Sequence, residues 1–560
     1  MQNKSKTVVL FDTTCRDGNQ DPTVHLSAEE KRLVASWLDY MGVGYIELGW
    51  PGANPTDDEL FENLPILQQA KMAAFGMTHK KGLSPETDNG FRRVAESPAA
   101  VICLFGKTWD KHVLTALHAT PEENLDMIRN SVSWVKKQGK EMVFDAEHFF
   151  DGFKNNKAYA LECLRSALEG GADWLVLCDT NGGSTPDEIS EIVRETVREF
   201  PNARFGIHCH NDCEMAVANS FAAVKAGCSM VQGTINGIGE RCGNANLTTL
   251  MGLLGKLGYD TGISPERLKE LRDLSREMDA LLGRKPNKSS AFVGDSAFAH
   301  KGGVHASAVK KDPALYEHTN PEFTGNRRSF PVSDQSGASN ILMLLKSMGI
   351  EADGKNPQVK ALVDSVKRRK QRGYTYREAE ASLCVLALKK TGMMRDFFKV
   401  ADFRITDEGK INGHEFVETS PSATVTIQFD GETVTKTASG QGPVHAFDKA
   451  LRKALRHRFP VMNDVELDDF KVKILNPDKA TGATTHVLVS MKNGKTGDRW
   501  TTVGVSQDII VASLEALIDG YNYVLNIDRA PEPETTGFFR KTRLEMKARL
   551  AGRHHYRDPA

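Results

Sequence analysis

Short apolar runs alternate with amphipathic stretches of helical period from residue 8 to about residue 260. A continuous apolar run predicts a buried strand, whereas apolar residues spaced three and four apart predict a surface helix. Ser27 and Glu30 have the spacing of a capping box, which marks the start of the first helix. The predicted strands are Val8–Thr14, Tyr45–Trp50, Met72–Thr78, Ala99–Lys107, Glu141–Phe149, Trp174–Thr180, Arg204–Asn211 and Met230–Gly237. The clearest predicted helices are Ser27–Met41, Thr120–Gln138, Ala158–Gly170, Thr185–Phe200 and Ala216–Ala226.

Eight β/α units in about 250 residues predict an α/β fold, a TIM (β/α)8 barrel over residues 1–260. A doubly wound open sheet is the alternative, but no G-x-G-x-x-G motif follows the first strand. A TIM barrel carries its chemistry at the carboxyl ends of its strands. Acid, base, amide and imidazole side chains follow six of the predicted strands, and we expect them to meet at one rim. They include Arg16, Asp17, Glu47, Glu147, Asp179, Thr180, His208, His210 and Asn244.

The most informative of these strand ends carries two histidines, His208 and His210. Side chains alternate along a strand, so both imidazoles project to the same face while Cys209 points to the other. Two imidazoles on one face can hold one metal ion, and a carboxylate or amide from another strand would complete the site. A pair of ordinary core or surface histidines is the alternative interpretation.

The rest of the chain divides into three segments by pattern. Residues 261–400 predict a helical linker region, interrupted by a Gly-rich loop, Gly294–Ala306, that contains two histidines. Residues 401–527 contain strands followed by a helix twice, which predicts an α+β domain of two similar half-units. Residues 528–560 form a basic tail, expected to be loose or marginally helical. The linker helices are predicted at Pro265–Leu282, Gln358–Lys370 and Tyr376–Lys390.

Charge and composition argue against several classes of partner. The chain has 72 basic and 73 acidic residues, spread throughout, so neither nucleic acid nor a membrane surface is expected as a partner. No apolar run has the length of a membrane-spanning helix, and the N-terminus lacks a signal-peptide pattern. The nine cysteines are scattered, and several lie in predicted buried strands. We therefore expect a reduced, cytoplasmic protein.

Five ordered motifs resemble the Claisen-condensing synthases, the family of isopropylmalate, citramalate and homocitrate synthases. They are FDTTCRDGNQ from Phe11, HCHND from His208, GTINGIGERCGN from Gly233, AFAHKGGVH from Ala297, and ASGQGPVHA from Ala438 with WTTVGVS from Trp500. The last motif resembles the allosteric module of the family. Three further segments are similar to the citramalate branch, namely ELGWPGANP from Glu47, LFGK from Leu104 and DAEHFFDG from Asp145.

The resemblance implies condensation of acetyl-CoA with an α-keto acid on a divalent metal, followed by thioester hydrolysis. It implies Mg²⁺ or Mn²⁺, with Zn²⁺ as a further option, held by Asp17, His208, His210 and Asn244. Arg16 would stabilise the developing alkoxide, and Glu147 with His305 would supply the base and activate water. Thr180 would bind the carboxylate of the keto acid, with Tyr316 as a weaker expectation. Leu104, Phe105 and Phe144 are expected to surround the side chain of the keto acid.

The resemblance also implies partners. Pyruvate is the expected acceptor, giving (R)-citramalate for isoleucine biosynthesis, and 2-oxoisovalerate is the alternative. The loop that carries His305 would complete the active site of a second subunit, which implies a homodimer. Isoleucine, with leucine second, is the expected feedback inhibitor of the C-terminal domain. A CoA-ester lyase, a carboxyl-transferring barrel and an amino-acid sensor with an inactive barrel are the remaining alternatives.

Overall fold

The computed structural model describes residues 7–300, 303–330, 342, 345, 356–376, 378–412, 415–429, 431–494, 498–526 and 537–554. The chain divides into two compact units. The barrel unit comprises Met1–Phe298, Thr319–Arg327 and Thr535–Ala560, and the second unit comprises Ala299–His318 and Arg328–Glu534.

Eight parallel strands close into a barrel in chain order, which confirms the predicted TIM barrel. The closure pairs β1 with β8 in parallel register, with Val9 beside Met230 and Asp12 beside Gly233. Each strand lies within or close to the run that predicted it. The strands are β1 Val9–Asp12, β2 Tyr45–Gly49, β3 Lys71–Met77, β4 Val101–Lys107, β5 Glu141–Glu147, β6 Trp174–Asp179, β7 Phe205–Cys209 and β8 Met230–Gly233.

Helices follow the strands, and three of the longer ones begin with a capping box. Ser27 caps the first helix with Glu30 in the predicted capping box. The segment after β5 is helical from Phe149, before the predicted start at Ala158, and non-helical angles at Asn156 divide it into two parts. The helices are α1 Ala28–Met41, α2 Pro55–Glu62, α3 Asn89–Ala95, α4 Asp110–His112, α5 Pro121–Lys137, α6 Phe149–Gly170, α7 Pro186–Glu199, α8 Ala216–Ala226, α9 Leu247–Lys256, α10 Pro265–Leu268 and α11 Leu271–Leu281.

The barrel strands are buried on both faces, which gives two apolar clusters. Phe75, Cys103, Phe105 and Val143 belong to the cluster that fills the barrel interior. Their chain neighbours Leu104 and Phe144 belong to the larger cluster between the strands and the helices. This alternation decides which residues of a strand can reach the barrel mouth.

The second unit contains antiparallel sheets and helices, as the predicted α+β domain requires. The strands are β9 Lys399–Thr406, β10 Gly409–Asn412, β11 Glu415–Thr419, β12 Ser422–Phe429, β13 Glu432–Ser439, β14 Val465–Ile474, β15 Thr485–Asn493 and β16 Arg499–Ser506. They form two three-stranded sheets, of order β13-β12-β9 and β14-β15-β16, each packed with a helix, and β10 pairs with β11. The helices are α12 Gly303–Lys311, α13 Pro357–Gln371, α14 Glu380–Thr391, α15 Pro443–Leu455 and α16 Ile509–Asn526. Within the described part of the chain, no helix has both the length and the apolar content needed to cross a lipid bilayer.

The basic C-terminal segment was expected to be loose or marginally helical, and it contains a helix that packs on the barrel. Phe538–His554 form a helix, α17, that belongs to the barrel unit. Phe539 is fully buried and meets Trp37 edge to face, with ring centroids 6.0 Å apart. The Trp37 indole N–H donates to the Thr542 hydroxyl at 2.8 Å. The contact between Phe539 and Trp37 holds the helix against the barrel, although the helix is rich in Arg and Lys.

Candidate active site

Asp17, His208 and His210 converge at the carboxyl ends of β1 and β7, and all three are buried. The two imidazoles lie on the same face, as predicted, with their Nε2 atoms 3.3 Å apart. The Oδ2 atom of Asp17 lies 3.4 Å from the Nε2 atom of His208. One ligand atom from each residue lies within 4.8 Å of the others, so the group can hold a metal ion.

The protonation states suit a cation at this point. Burial lowers the pKa of His208, and burial with the neighbouring imidazole lowers the pKa of His210 to about 4. Burial alone would raise the pKa of Asp17, but the Arg16 guanidinium and the two imidazoles lower it to about 2. Neutral pH therefore gives two neutral imidazoles and one carboxylate, which are the forms that bind metals.

Asn244 adds an amide beside the cluster. It pairs with His210 in an isolated antiparallel bridge, and its Nδ2 atom donates to the Ile238 carbonyl at 3.3 Å. A Cβ on Gly239 would lie 2.2 Å from that Nδ2 atom, and the φ of Gly239 is +151°, so only glycine allows this approach. The Oδ1 atoms of Asp17 and Asn244 are buried without a hydrogen-bond donor. Oxygen ligands left without donors beside imidazole nitrogens fit a divalent cation.

Arg16 lies against the cluster and is held from three sides. Its Nε atom donates to Glu47 Oε2 at 2.5 Å, and its Nη1 atom lies 3.1 Å from Asp17 Oδ2. Its guanidinium carbon lies 3.6 Å from the centre of the Phe75 ring. Glu47 is fully buried, and burial raises the pKa of its carboxyl although Arg16 opposes this. The sequence predicted Glu47 only as an acid at the end of a strand. It did not predict Phe75 as a site residue, because an apolar residue within a strand does not reveal its partner.

Glu147 and Thr180 lie at the neighbouring ends of β5 and β6. Glu147 forms an ion pair with Lys107, which ends β4. The Thr180 hydroxyl accepts the backbone N–H of His148 at 2.8 Å, and the Thr180 carbonyl accepts Arg241 Nη2 at 2.8 Å. These contacts tie together the loops that follow β5, β6 and β8.

The residues expected to surround the keto acid divide between the two faces of their strands. Leu104 and Phe144 are fully buried between the strands and the outer helices. They therefore face away from the barrel mouth, contrary to the expectation for these two residues. Phe105 faces the interior and stacks on Phe75 with centroids 5.3 Å apart. The Trp50 ring lies 5.8 Å from the Phe105 ring and 5.7 Å from the Phe75 ring, measured between centroids, and we call these three side chains the aromatic wall.

His305 and Tyr316 belong to the second unit. Their rings are in contact, with centroids 4.2 Å apart, and Tyr316 is 45% exposed. His305 lies on α12, whereas the sequence placed it in a loop. The pair forms an exposed polar and aromatic patch within its own unit.

Comparison with known proteins gives three family models in series. An HMGL-like model matches residues 7–275, a homocitrate synthase post-HMGL domain-like model matches residues 292–374, and a LeuA allosteric (dimerisation) domain model matches residues 378–525. The cluster of Asp17, His208 and His210 lies in the first of these regions, and His305 lies in the second.

Full-length relatives are also similar. The (R)-citramalate synthase of Aquifex aeolicus is 45% identical over 93% of this chain and 98% of that protein. The (R)-citramalate synthase of Geobacter sulfurreducens is 44% identical over 93% of this chain and 98% of that protein. A 2-isopropylmalate synthase of Methanocaldococcus jannaschii is 32% identical over 92% of this chain and 95% of that protein. By its identity and coverage, this chain belongs to the (R)-citramalate synthase family.

Proposed function

We propose that this protein is a metal-dependent (R)-citramalate synthase. It joins the methyl carbon of acetyl-CoA to the carbonyl carbon of pyruvate, and water then cleaves the thioester to release (R)-citramalate and CoA. The proposal is supported above all by the buried cluster of Asp17, His208 and His210 beside Arg16, in a chain with citramalate synthase relatives over its length.

Asp17, His208, His210 and Asn244 would hold the metal, with the remaining positions open to the keto acid. A bound divalent metal would supply a Lewis acid and a template for the carboxylate and carbonyl of pyruvate. Two carboxamide or carboxylate oxygens beside two imidazoles suit Mg²⁺ or Mn²⁺, and they also tolerate Zn²⁺.

Arg16 acts as a fixed cation in the step that forms the carbon–carbon bond. Its contacts with Glu47 and Phe75 hold the guanidinium before substrate arrives, so it stabilises negative charge developing on the pyruvate carbonyl oxygen without reorganisation. The Thr180 hydroxyl donates a hydrogen bond to the pyruvate carboxylate.

Glu147 removes a proton from the acetyl methyl group, with its carboxylate oriented by Lys107. His305 from a second copy of the chain completes the base and activates the water for thioester hydrolysis, with Tyr316 beside it. The active enzyme is therefore a homodimer. A dimerisation domain model over residues 378–525 supports this assembly.

The aromatic wall favours the smaller keto acid. Phe105, Trp50 and Phe75 are packed edge to face or stacked next to Arg16, and we propose that they leave room for the methyl group of pyruvate and exclude an isopropyl group. Overpacking is the mechanism by which such a wall rejects a larger substrate. This observation favours pyruvate over 2-oxoisovalerate.

The second unit would bind isoleucine as a feedback inhibitor, with leucine as the second choice. It contains a cavity of about 1260 Å³ between α15, β13 and β14, lined in part by Gly442, His445, Arg452 and Phe470. Inhibition requires the amino acid to bind the less active state more tightly. The buried free cysteines suit a reduced cytoplasmic compartment.

A substrate panel tests the proposal. The purified protein is incubated with acetyl-CoA and either pyruvate or 2-oxoisovalerate, and CoA and the organic acid product are measured by mass spectrometry. We expect citramalate from pyruvate, loss of activity with a chelator, and recovery with Mn²⁺ or Mg²⁺. A clear preference for 2-oxoisovalerate would make the protein an isopropylmalate synthase, and no condensation with either acid would support an inactive sensor. Isoleucine and leucine are added in parallel arms, and an unchanged rate and melting temperature in both would refute the effector.

A further inference from the structure

We propose that Gln232 is a positioning residue, which holds His208 in the tautomer with its hydrogen on Nδ1 and so keeps the Nε2 lone pair facing the metal. Asp145 fixes the orientation of the Gln232 amide. This inference rests on the proposed metal site. It concerns the buried residues of the barrel interior that orient one of the proposed metal ligands.

The three side chains form one buried chain of hydrogen bonds across the barrel. The Nδ1 atom of His208 lies 2.7 Å from Oε1 of Gln232, and Nε2 of Gln232 donates to Oδ1 of Asp145 at 2.9 Å. Gln232 is fully buried, and the other two are at most 4% exposed. His208 and Gln232 are register partners on β7 and β8, whereas Asp145 reaches them from β5 on another part of the wall.

The direction of these bonds sets the tautomer. Gln232 Nε2 donates to Oδ1 of Asp145, and this oxygen accepts in the ionised carboxylate and also in the neutral acid when the other oxygen carries the proton. Burial raises the pKa of Asp145 to about 7, so the ring spectra are recorded at about pH 8, where the carboxylate is the main form. The carbonyl oxygen of the same amide then faces His208 and accepts, which requires the hydrogen on Nδ1. The reversed amide would need a protonated Asp145 and would move the hydrogen of His208 to Nε2.

The position of that hydrogen determines whether Nε2 of His208 can bind a cation. Nε2 of His208 lies 3.3 Å from Nε2 of His210 and 3.4 Å from Oδ2 of Asp17. With the hydrogen on Nδ1, the Nε2 lone pair of His208 faces the same point as the Oδ2 atom of Asp17. With the hydrogen on Nε2, an N–H group occupies the point where a cation would bind, and the proton must move before the metal can enter. Partners that fix the tautomer of a metal-binding histidine typically change metal affinity by about 10–100-fold when they are removed.

The test uses the metal-free full-length protein with ¹⁵N-labelled histidine rings, because ring nitrogen shifts distinguish the two neutral tautomers. The His208 signal is assigned by its loss in His208→Gln. Metal affinity is measured separately by titration calorimetry with Mn²⁺ alone. The variants are Gln232→Leu, which removes both hydrogen bonds, and Gln232→Glu, which can still accept from His208. Asn219→Leu is the matched control, since Asn219 is a fully buried amide that donates to the Ser184 carbonyl at 2.7 Å.

We expect the Nδ1–H form in the unaltered protein and in Gln232→Glu, and a mixed or Nε2–H form in Gln232→Leu. Mn²⁺ affinity should fall by about 10–100-fold in Gln232→Leu and by less than about threefold in Gln232→Glu and in Asn219→Leu. An Nε2–H form in the unaltered protein, or unchanged ring shifts and affinity in Gln232→Leu, would overturn the proposal. If Gln232→Leu does not fold, the unaltered protein and Gln232→Glu still decide it. The ring signals are read without metal or substrate, so a failure of the proposed reaction is distinguishable from a failure of this inference.

Discussion

Replacing Arg16 by methionine separates the structural contribution of this residue from its catalytic one. The change removes the cation from a carboxylate that remains buried, since the Glu47 side chain has no exposed surface and that of Arg16 is 10% exposed. Methionine reproduces the Arg16 side chain as far as Nε, so it keeps an apolar stem and removes the guanidinium with its contacts to Glu47, Asp17 and Phe75. The variant therefore tests the contribution of the guanidinium.

The expected loss of stability follows from this geometry. Removing one partner of a buried ion pair typically costs about 3–5 kcal/mol, because the other charge stays buried and unpaired. The double variant Arg16→Met/Glu47→Leu leaves no buried charge at position 47, so it should recover the part of that loss that comes from Glu47. Asp17, whose Oδ2 atom lies 3.1 Å from Arg16 Nη1, still lacks its cation in the double variant. Burial raises the pKa of Glu47 even with Arg16 present. Without Arg16 the carboxyl binds a proton more readily, so the single variant should lose less stability at about pH 6 than at about pH 8.

Hydrogen exchange followed by mass spectrometry is the appropriate assay, since a chain of two compact units does not unfold in one step. Peptides from β1 and β2 report the free energy of opening of the barrel, in the presence of a chelator. Both variants should lack citramalate formation. A loss below about 1 kcal/mol in Arg16→Met, or a double variant as unstable as the single one, would refute the buried ion pair.

Three further predictions concern other parts of the barrel unit. Burial raises the pKa of Asp12 to about 7, so its protonated form favours folding and stability is lost as the pH rises from about 4 through about 7. Asp12→Asn should reduce this slope in the melting temperature of the barrel unit, to which the raised pKa values of Glu47 and Asp145 also contribute, and an unchanged slope would contradict it. Phe539→Ala should reduce the protection of α17 in hydrogen exchange by about 3–5 kcal/mol, whereas Leu544→Ala, at a side chain 46% exposed, should change it by less than about 0.5 kcal/mol; equal effects would argue against the docked helix. Phe105→Ala should raise kcat/KM for 2-oxoisovalerate relative to pyruvate by at least about tenfold, and an unchanged ratio would remove Phe105 from the acceptor pocket.

The barrel and the rim of its mouth could be predicted because both depend on local periodicity. Runs of apolar residues predicted all eight strands, and the topology brings their carboxyl ends to one rim. The spacing of His208 and His210 then fixed their common face, and Asp17 follows a strand that lies next to β8. No contact distant in sequence was needed for these inferences.

The direction of individual side chains was harder to predict, and β4 shows why. Both faces of a barrel strand are buried, so apolar and polar residues do not alternate along Leu104–Lys107. The sequence of this segment therefore does not show which side chains point into the barrel. A shift of one residue exchanges the two faces. The sequence therefore assigned Leu104, Phe105 and Phe144 to one pocket, whereas the structure separates Phe105 from the other two.

Asp145 and Gln232 were not predicted as site residues, and Glu47 was predicted only as an acid at a strand end. The cost of burying polar groups explains why such residues are rare in a barrel interior. Glu47, Asp145 and Gln232 occupy strand positions where an apolar side chain would cost less to bury. Each of them contacts a residue of the proposed site: Glu47 holds Arg16, while Asp145 and Gln232 hold His208. A barrel selected for stability alone would replace such groups with well-packed apolar residues. Their retention beneath the rim is the expected result if the cation and the imidazole above them must be fixed before substrate binds.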